Sequence, residues 1–251
     1  MANNMLNEQT WRNIPPRPDQ QAGAMAVPGE RTMTVAGTVG KTFILLTLAV
    51  VAGSVGWKQA DTIANASGFL VLLVFLGLLG LSWFTATRPQ IAPVTGPIYA
   101  VVIGVFAGMI SAFYQDAYGG IVVQAVFATA AVFAVCLALY SSGIVKVTRK
   151  FVAVTVAATG GIMLMYLVSI VLRLFGVRVG FLSDPSPIGI AVSVVICFVA
   201  ALNLFLDFEL VRQGVQRGAP TYMEWYCAFG LMATLIWLYL EMLRLLGKLR
   251  S

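Results

Sequence analysis

Two apolar runs near the end of this chain set the terms for its fold. One reads IGIAVSVVICFVAALNLFLDFEL from Ile188 to Leu210, the other WYCAFGLMATLIWLYLEMLRLL from Trp225 to Leu246. Crossing the hydrocarbon core of a bilayer takes ~20 residues of helix at ~1.5 Å rise, so each run is long enough. Five earlier runs have a similar character: about Thr42–Trp57, Gly68–Thr85, Thr95–Phe113, Gly119–Tyr140 and Phe151–Leu174. Composition agrees. Hydrophobic residues make up 59% of the 251 and charged ones 10%, against ~25% charged in a soluble domain. A lone open strand cannot satisfy its backbone in lipid. The expectation is therefore an all-α, polytopic membrane protein built as a seven-transmembrane-helix bundle.

Residues 1–31 are polar and rich in Pro, Gln, Asn and Ala, with no apolar core of signal-peptide type. They read as a flexible tail and not a cleaved leader. Residues 32–251 then form one seven-helix membrane domain, because each span needs its neighbours to cover its polar atoms. Connections such as RPQIAPVTGP, QDAYGG and LSDPSPIG carry turn residues. With the N-terminus cytoplasmic, ten of the 16 Lys and Arg fall inside and six outside, three of the six at Arg244, Lys248 and Arg250. A re-entrant last segment would return those three to the cytoplasm. Sixteen uncharged residues from Trp225 to Leu240 favour a full crossing instead.

There is no histidine, which removes Ser–His hydrolysis, His-ligated haem and His-rich zinc sites. Cys136, Cys197 and Cys227 stand singly in apolar runs and read as small apolar fillers. No enzyme, cofactor or nucleic-acid partner is expected. GTVGKT at Gly37 to Thr42 resembles part of a phosphate loop, but Val35 stands where the pattern needs Gly and the segment opens a membrane helix. It reads as a close-packed helix start, with Lys41 snorkelling to the headgroups. Rows of small residues (Gly104, Gly108 and Ser111; Gly77 and Gly80; Gly53 and Gly56) read as helix-packing seams. Gln124, inside the fourth span, needs a partner on another helix. The Asn65 sequon abuts a membrane helix and reads as chance.

Asp207 is the group that asks for a function. It stands 19 residues after Ile188, with Asn203 one helical turn earlier on the same face, a natural hydrogen-bond neighbour. Acids at membrane depth are costly, and they mark ion paths or paired sites. Which protonation state Asp207 holds depends on whether desolvation or a nearby cation dominates. Glu209 and Arg212, just beyond it, read as solvated helix-end charges. Glu241 sits near the opposite surface, roughly 20 Å from Asp207 in depth. It is expected to pair with Arg244 on its own helix, or with Arg173.

The stretches GTVGKTFILL, SAFYQDAYGGIVVQAVFATAAVFAV, ATGGIMLMYLVSIVL, AALNLFLDFELVRQGV, GAPTYMEWYCAFG and LIWLYLEMLRLLG together resemble the Bax-inhibitor-like membrane family, in its bacterial branch. The resemblance runs from about Thr32 to Lys248. It implies a seven-helix bundle around a central last helix, a cytoplasmic N-terminus in the bacterial inner membrane, and a pH-sensitive calcium leak, with calcium as the permeant ion. Eukaryotic relatives suppress cell death, and a bacterial relative restrains a membrane-bound protease. The alternative is thus a non-conducting regulator that binds other membrane proteins. The family's acid near the end of the sixth helix, one half of a pore-closing carboxylate pair, matches Asp207. For the other half, matching on LYLE gives Glu241. Matching on LRLLG puts Arg244 on the family's C-terminal arginine and Thr234 at the acid's position. The second register needs the smaller insertion. The expected ion path and gate are then Asp207, Asn203 and Thr234, supported by Glu241 and Arg244, with no metal ligand set assigned.

Overall fold

The computed structural model describes residues 32–60, 68–176 and 184–251, the side chains at 68–71, 173 and 174 excepted. The tail over residues 1–31, the Asn65 sequon and the Arg173 side chain lie outside what is described. Seven helices follow in order: α1 (Val35–Lys58), α2 (Gly68–Thr87), α3 (Ala92–Ala117), α4 (Ile121–Ser141), α5 (Arg149–Leu174), α6 (Pro187–Gln216) and α7 (Tyr222–Arg250). A short 3-10 turn at Pro89–Ile91 leads into α3. Among the described residues the only extended pairing is an isolated bridge between Thr32 and Pro220. Six helices are long and apolar enough to cross a membrane, while the described part of α2, Leu72–Thr87, is apolar but shorter.

Local chemistry sets where the helices begin and end. The Thr34 hydroxyl accepts from the Gly37 amide at 2.9 Å and starts α1. Ser186 does the same for Gly189 at 3.1 Å, with Pro187 in the first turn of α6. Both satisfy amides that have no partner inside the helix. At the end of α6, Gly218 takes a left-handed conformation (φ 58°). The Ala219 amide then folds back on the Gly214 carbonyl at 2.9 Å, a glycine-dependent stop. The chain reverses there within a few residues, so α7 returns against α6.

α7 is the axis of the bundle and packs on α1, α3, α4 and α6. Met223, Tyr226, Ala228, Met232, Leu238 and Leu243 along it are fully buried. α1 and α3 make the closest-packed pair. A Cβ on Gly104 would lie 2.3 Å from the Ala49 carbonyl oxygen, and one on Gly108 would lie 1.9 Å from that of Gly53. Gly53, Gly56, Gly104 and Gly108 are thus the packing seam their spacing suggested. Gly77 and Gly80 are not, since a Cβ there meets no described atom within 4 Å. Ser111 instead shares a 2.6 Å hydrogen bond with Tyr239 on α7.

Contacts at its two ends show that α7 runs the length of the bundle. At its start, the Met33 amide donates to the Ala219 carbonyl at 2.7 Å, tying the entrance of α1 to the α6–α7 turn. At its finish, Arg250 donates to the Gly119 carbonyl at 3.0 Å and to Gln124 Oε1 at 2.8 Å, in the α3–α4 turn and the first turn of α4. Gln124 thus has a partner on another helix, but it is exposed and stands in the first turn of α4, not inside the span.

Candidate functional site

Most of the buried charge lies along α6 and α7, in groups at different depths. Nearest the entrance of α1, Glu224 in the first turn of α7 is 4% exposed. It accepts from the Thr34 amide at 2.8 Å and the Thr34 hydroxyl at 3.0 Å, and it is ion-paired with Lys41. The ammonium of Lys41 also lies 5.6 Å from the centroid of the Trp225 ring. Lys41 is therefore not a snorkelling lysine, because a buried carboxylate holds it inside. Gly37 makes room for that carboxylate, whose nearest oxygen would lie 2.2 Å from a Cβ there.

Towards the same end of α6, Glu209 is 6% exposed. Arg212 grips it with two nitrogens at 2.6 and 2.9 Å, Gln213 donates to it at 2.8 Å, and the Tyr140 hydroxyl donates from α4 at 2.8 Å. Its reading as a solvated helix-end acid is overturned. The end of α4 covers it, and the sequence of α6 alone does not show that.

Asp207 is different. The residue is 8% exposed, and Oδ2 is buried with no hydrogen-bond partner among the described residues. The side chain facing it as a hydrogen-bonding neighbour is Thr234 on α7, and Tyr226 and Cys227 are within electrostatic reach. The Tyr226 hydroxyl is likewise buried without a partner among the described residues. Two expectations need correction here. Asn203 does not bond Asp207: its amide donates to the Thr159 hydroxyl on α5 and to the Val199 carbonyl, both at 2.8 Å. α5 offers an acceptor that the spacing along α6 could not show. And α6 continues nine residues past Asp207 to Gln216, about 13 Å, so the acid lies deeper than one or two turns from the helix end.

Farther along α7, Glu241 is 2% exposed. Arg244 Nη1 reaches both its oxygens, at 2.9 and 2.8 Å, and Tyr166 and Trp237 donate to Oε1 at 2.8 and 3.2 Å. The Arg244 guanidinium also lies 4.9 Å from the centroid of the Tyr166 ring and hydrogen-bonds its hydroxyl. The expected Glu241–Arg244 pair is present. Glu241 stands seven residues beyond Thr234, about 10 Å in depth, not 20 Å, because Asp207 is deeper than reckoned. One turn on, the Lys248 ammonium donates to the Gly189 carbonyl and the Ser193 hydroxyl at 2.9 Å each, fastening α7 to the start of α6.

Sequence reasoning brought Asp207 to Thr234 and Glu241 to Arg244, but it missed Glu224, Tyr166 and Lys248. An acid in a helix's first turn was a signal for Glu224. For Tyr166 there was none. Asp207 alone of the buried carboxyls is bound by no cation or amide among the described residues. Among those residues no three His, Cys, Asp or Glu side chains converge to hold a metal. Compared with known protein families, the chain matches the model described as Bax inhibitor 1 like over residues 3–251. No curated protein matches it.

Proposed function

We propose that this chain, which belongs to the Bax inhibitor 1 like family, is a seven-crossing calcium leak of the bacterial inner membrane. Its N-terminus is cytoplasmic, and a single carboxyl at Asp207 gates it. The observation that carries the reading is the pair of unpartnered oxygens on facing helices, Asp207 Oδ2 and the Tyr226 hydroxyl. Leaving such groups unmet costs ~1–3 kcal/mol each. Water and a hydrated cation are the natural partners for oxygens at this depth in a membrane protein. Thr234 supplies a hydroxyl where a second acid would make a carboxylate pair, so the gate turns on one proton. As an anion, Asp207 draws a divalent cation toward the path; as a neutral acid, it does not.

Calcium flux into liposomes tests this, with Asp207→Asn beside the wild type. The variant keeps the shape and loses the titration, so its flux is expected to be independent of pH. A variant that follows the wild-type curve would make Asp207 a bystander.

A second reading, a non-conducting regulator of another membrane protein such as a membrane protease, is favoured by the carboxylate clusters that flank Asp207. Glu209, Glu224 and Glu241 are each engaged by a cation. A protein that leaks no calcium at any pH leaves this second reading.

A further inference from the structure

A cavity of about 900 Å³ opens between α1 and α4, backed by α3 and α7. Five hydroxyl residues line it, yet four bond a carbonyl of their own helix and the fifth, Tyr239, pairs with Ser111. Thr42 bonds the Thr38 carbonyl, Ser54 that of Val51, Ser111 that of Ala107 and Thr129 that of Ala125, at 2.7 to 2.9 Å. The wall is therefore dry, and it is unsuited to carry an ion. Along α1 the lining runs from Val39 to Lys58, 19 residues or about 28 Å of helix, which is close to the ~30 Å hydrocarbon thickness of a bilayer. Val39, Phe43, Val50 and Val126 along its mouth are exposed, so an alkyl chain of the surrounding bilayer can lie in it.

The slot has polarity at one end. Lys58 lines it there beside Trp57, which is 40% exposed, a pairing typical of the membrane–water interface. Lys58 has no ion-pair partner among the described residues. We propose that the α1–α4 slot holds one phospholipid of the surrounding bilayer. An acyl chain lies along α1, and an anionic headgroup meets Lys58. The site is separate from the Asp207 gate and stands or falls independently of it.

Native mass spectrometry of the full chain, with phosphatidylglycerol or phosphatidylcholine added, reads this directly. Wild type is expected to keep one phosphatidylglycerol per chain. Ala130→Trp, which fills the slot from α4, should lower that occupancy at least tenfold. Lys58→Glu should still take lipid but lose the preference for phosphatidylglycerol. Because Ala130→Trp can disturb folding, a second readout uses the native sequence. Phosphatidylglycerol brominated on its acyl chains should quench the Trp57 emission, obtained by difference against Trp57→Phe, more than brominated phosphatidylcholine does. A wild type without bound lipid overturns the proposal. So does equal occupancy in a folded Ala130→Trp variant, an unchanged headgroup preference in Lys58→Glu, or a second protein chain in place of lipid.

Discussion

Arg244→Ala should be among the most destabilising single changes in α7, and the structure says by how much. The substitution removes both nitrogen–oxygen contacts to a Glu241 that is 2% exposed. Stripping one partner from a buried ion pair costs about 3–5 kcal/mol. Two features reduce this. The Arg244 side chain is itself 32% exposed, and Tyr166 and Trp237 continue to donate to the carboxylate. A loss of about 2–3 kcal/mol follows. At about 2–4 °C per kcal/mol for a chain of this size, the apparent melting temperature in detergent should fall by roughly 4–12 °C. The double variant Glu241→Gln, Arg244→Ala separates the causes. With the orphaned charge gone, much of the loss should return. An unchanged melting temperature in Arg244→Ala would mean that the guanidinium is merely solvated. A double variant no better than the single would mean that the effect is lost packing against Tyr166.

Three further outcomes are expected. Thr234→Asp places a second acid against Asp207, so calcium flux should titrate in two macroscopic steps in place of one; a single unaltered step would show that the two side chains do not interact. Gly108→Ala drives a methyl into the Gly53 backbone and should cost about 1–3 kcal/mol, read as a lower melting temperature, whereas Gly77→Ala, with open space around it, should leave stability nearly unchanged. Glu224→Gln breaks the ion pair with Lys41 and should cost about 1.5–3 kcal/mol in the same assay, with Lys41→Met added to it restoring part of the loss.

The number and order of the helices were legible because apolar runs of spanning length admit few folds. The α1–α3 seam was legible too, since glycines at helical spacing let two helix backbones meet, although the same pattern at Gly77 and Gly80 marks no seam among the described residues. Aligning on LRLLG put Thr234 at the position of the family's acid, and Thr234 is the side chain that faces Asp207. What stayed hidden depends on helices distant in sequence. Tyr140 covers Glu209, Thr159 takes Asn203, Tyr166 sits on the Glu241–Arg244 pair, and Gly189 receives Lys248. The basic residues near the C-terminus also have partners that the sequence did not show. Arg244, Lys248 and Arg250 are held in internal bonds at the far end of α7.

The central claim is that one carboxyl, without a second acid or a bound cation, sets the passage of calcium. The steepness of wild-type calcium flux against pH in liposomes tests it most directly. A lone Asp207 predicts a curve that follows the binding of one proton and vanishes in Asp207→Asn. A curve needing two cooperative protons, or a flux indifferent to pH while calcium still passes, would contradict it.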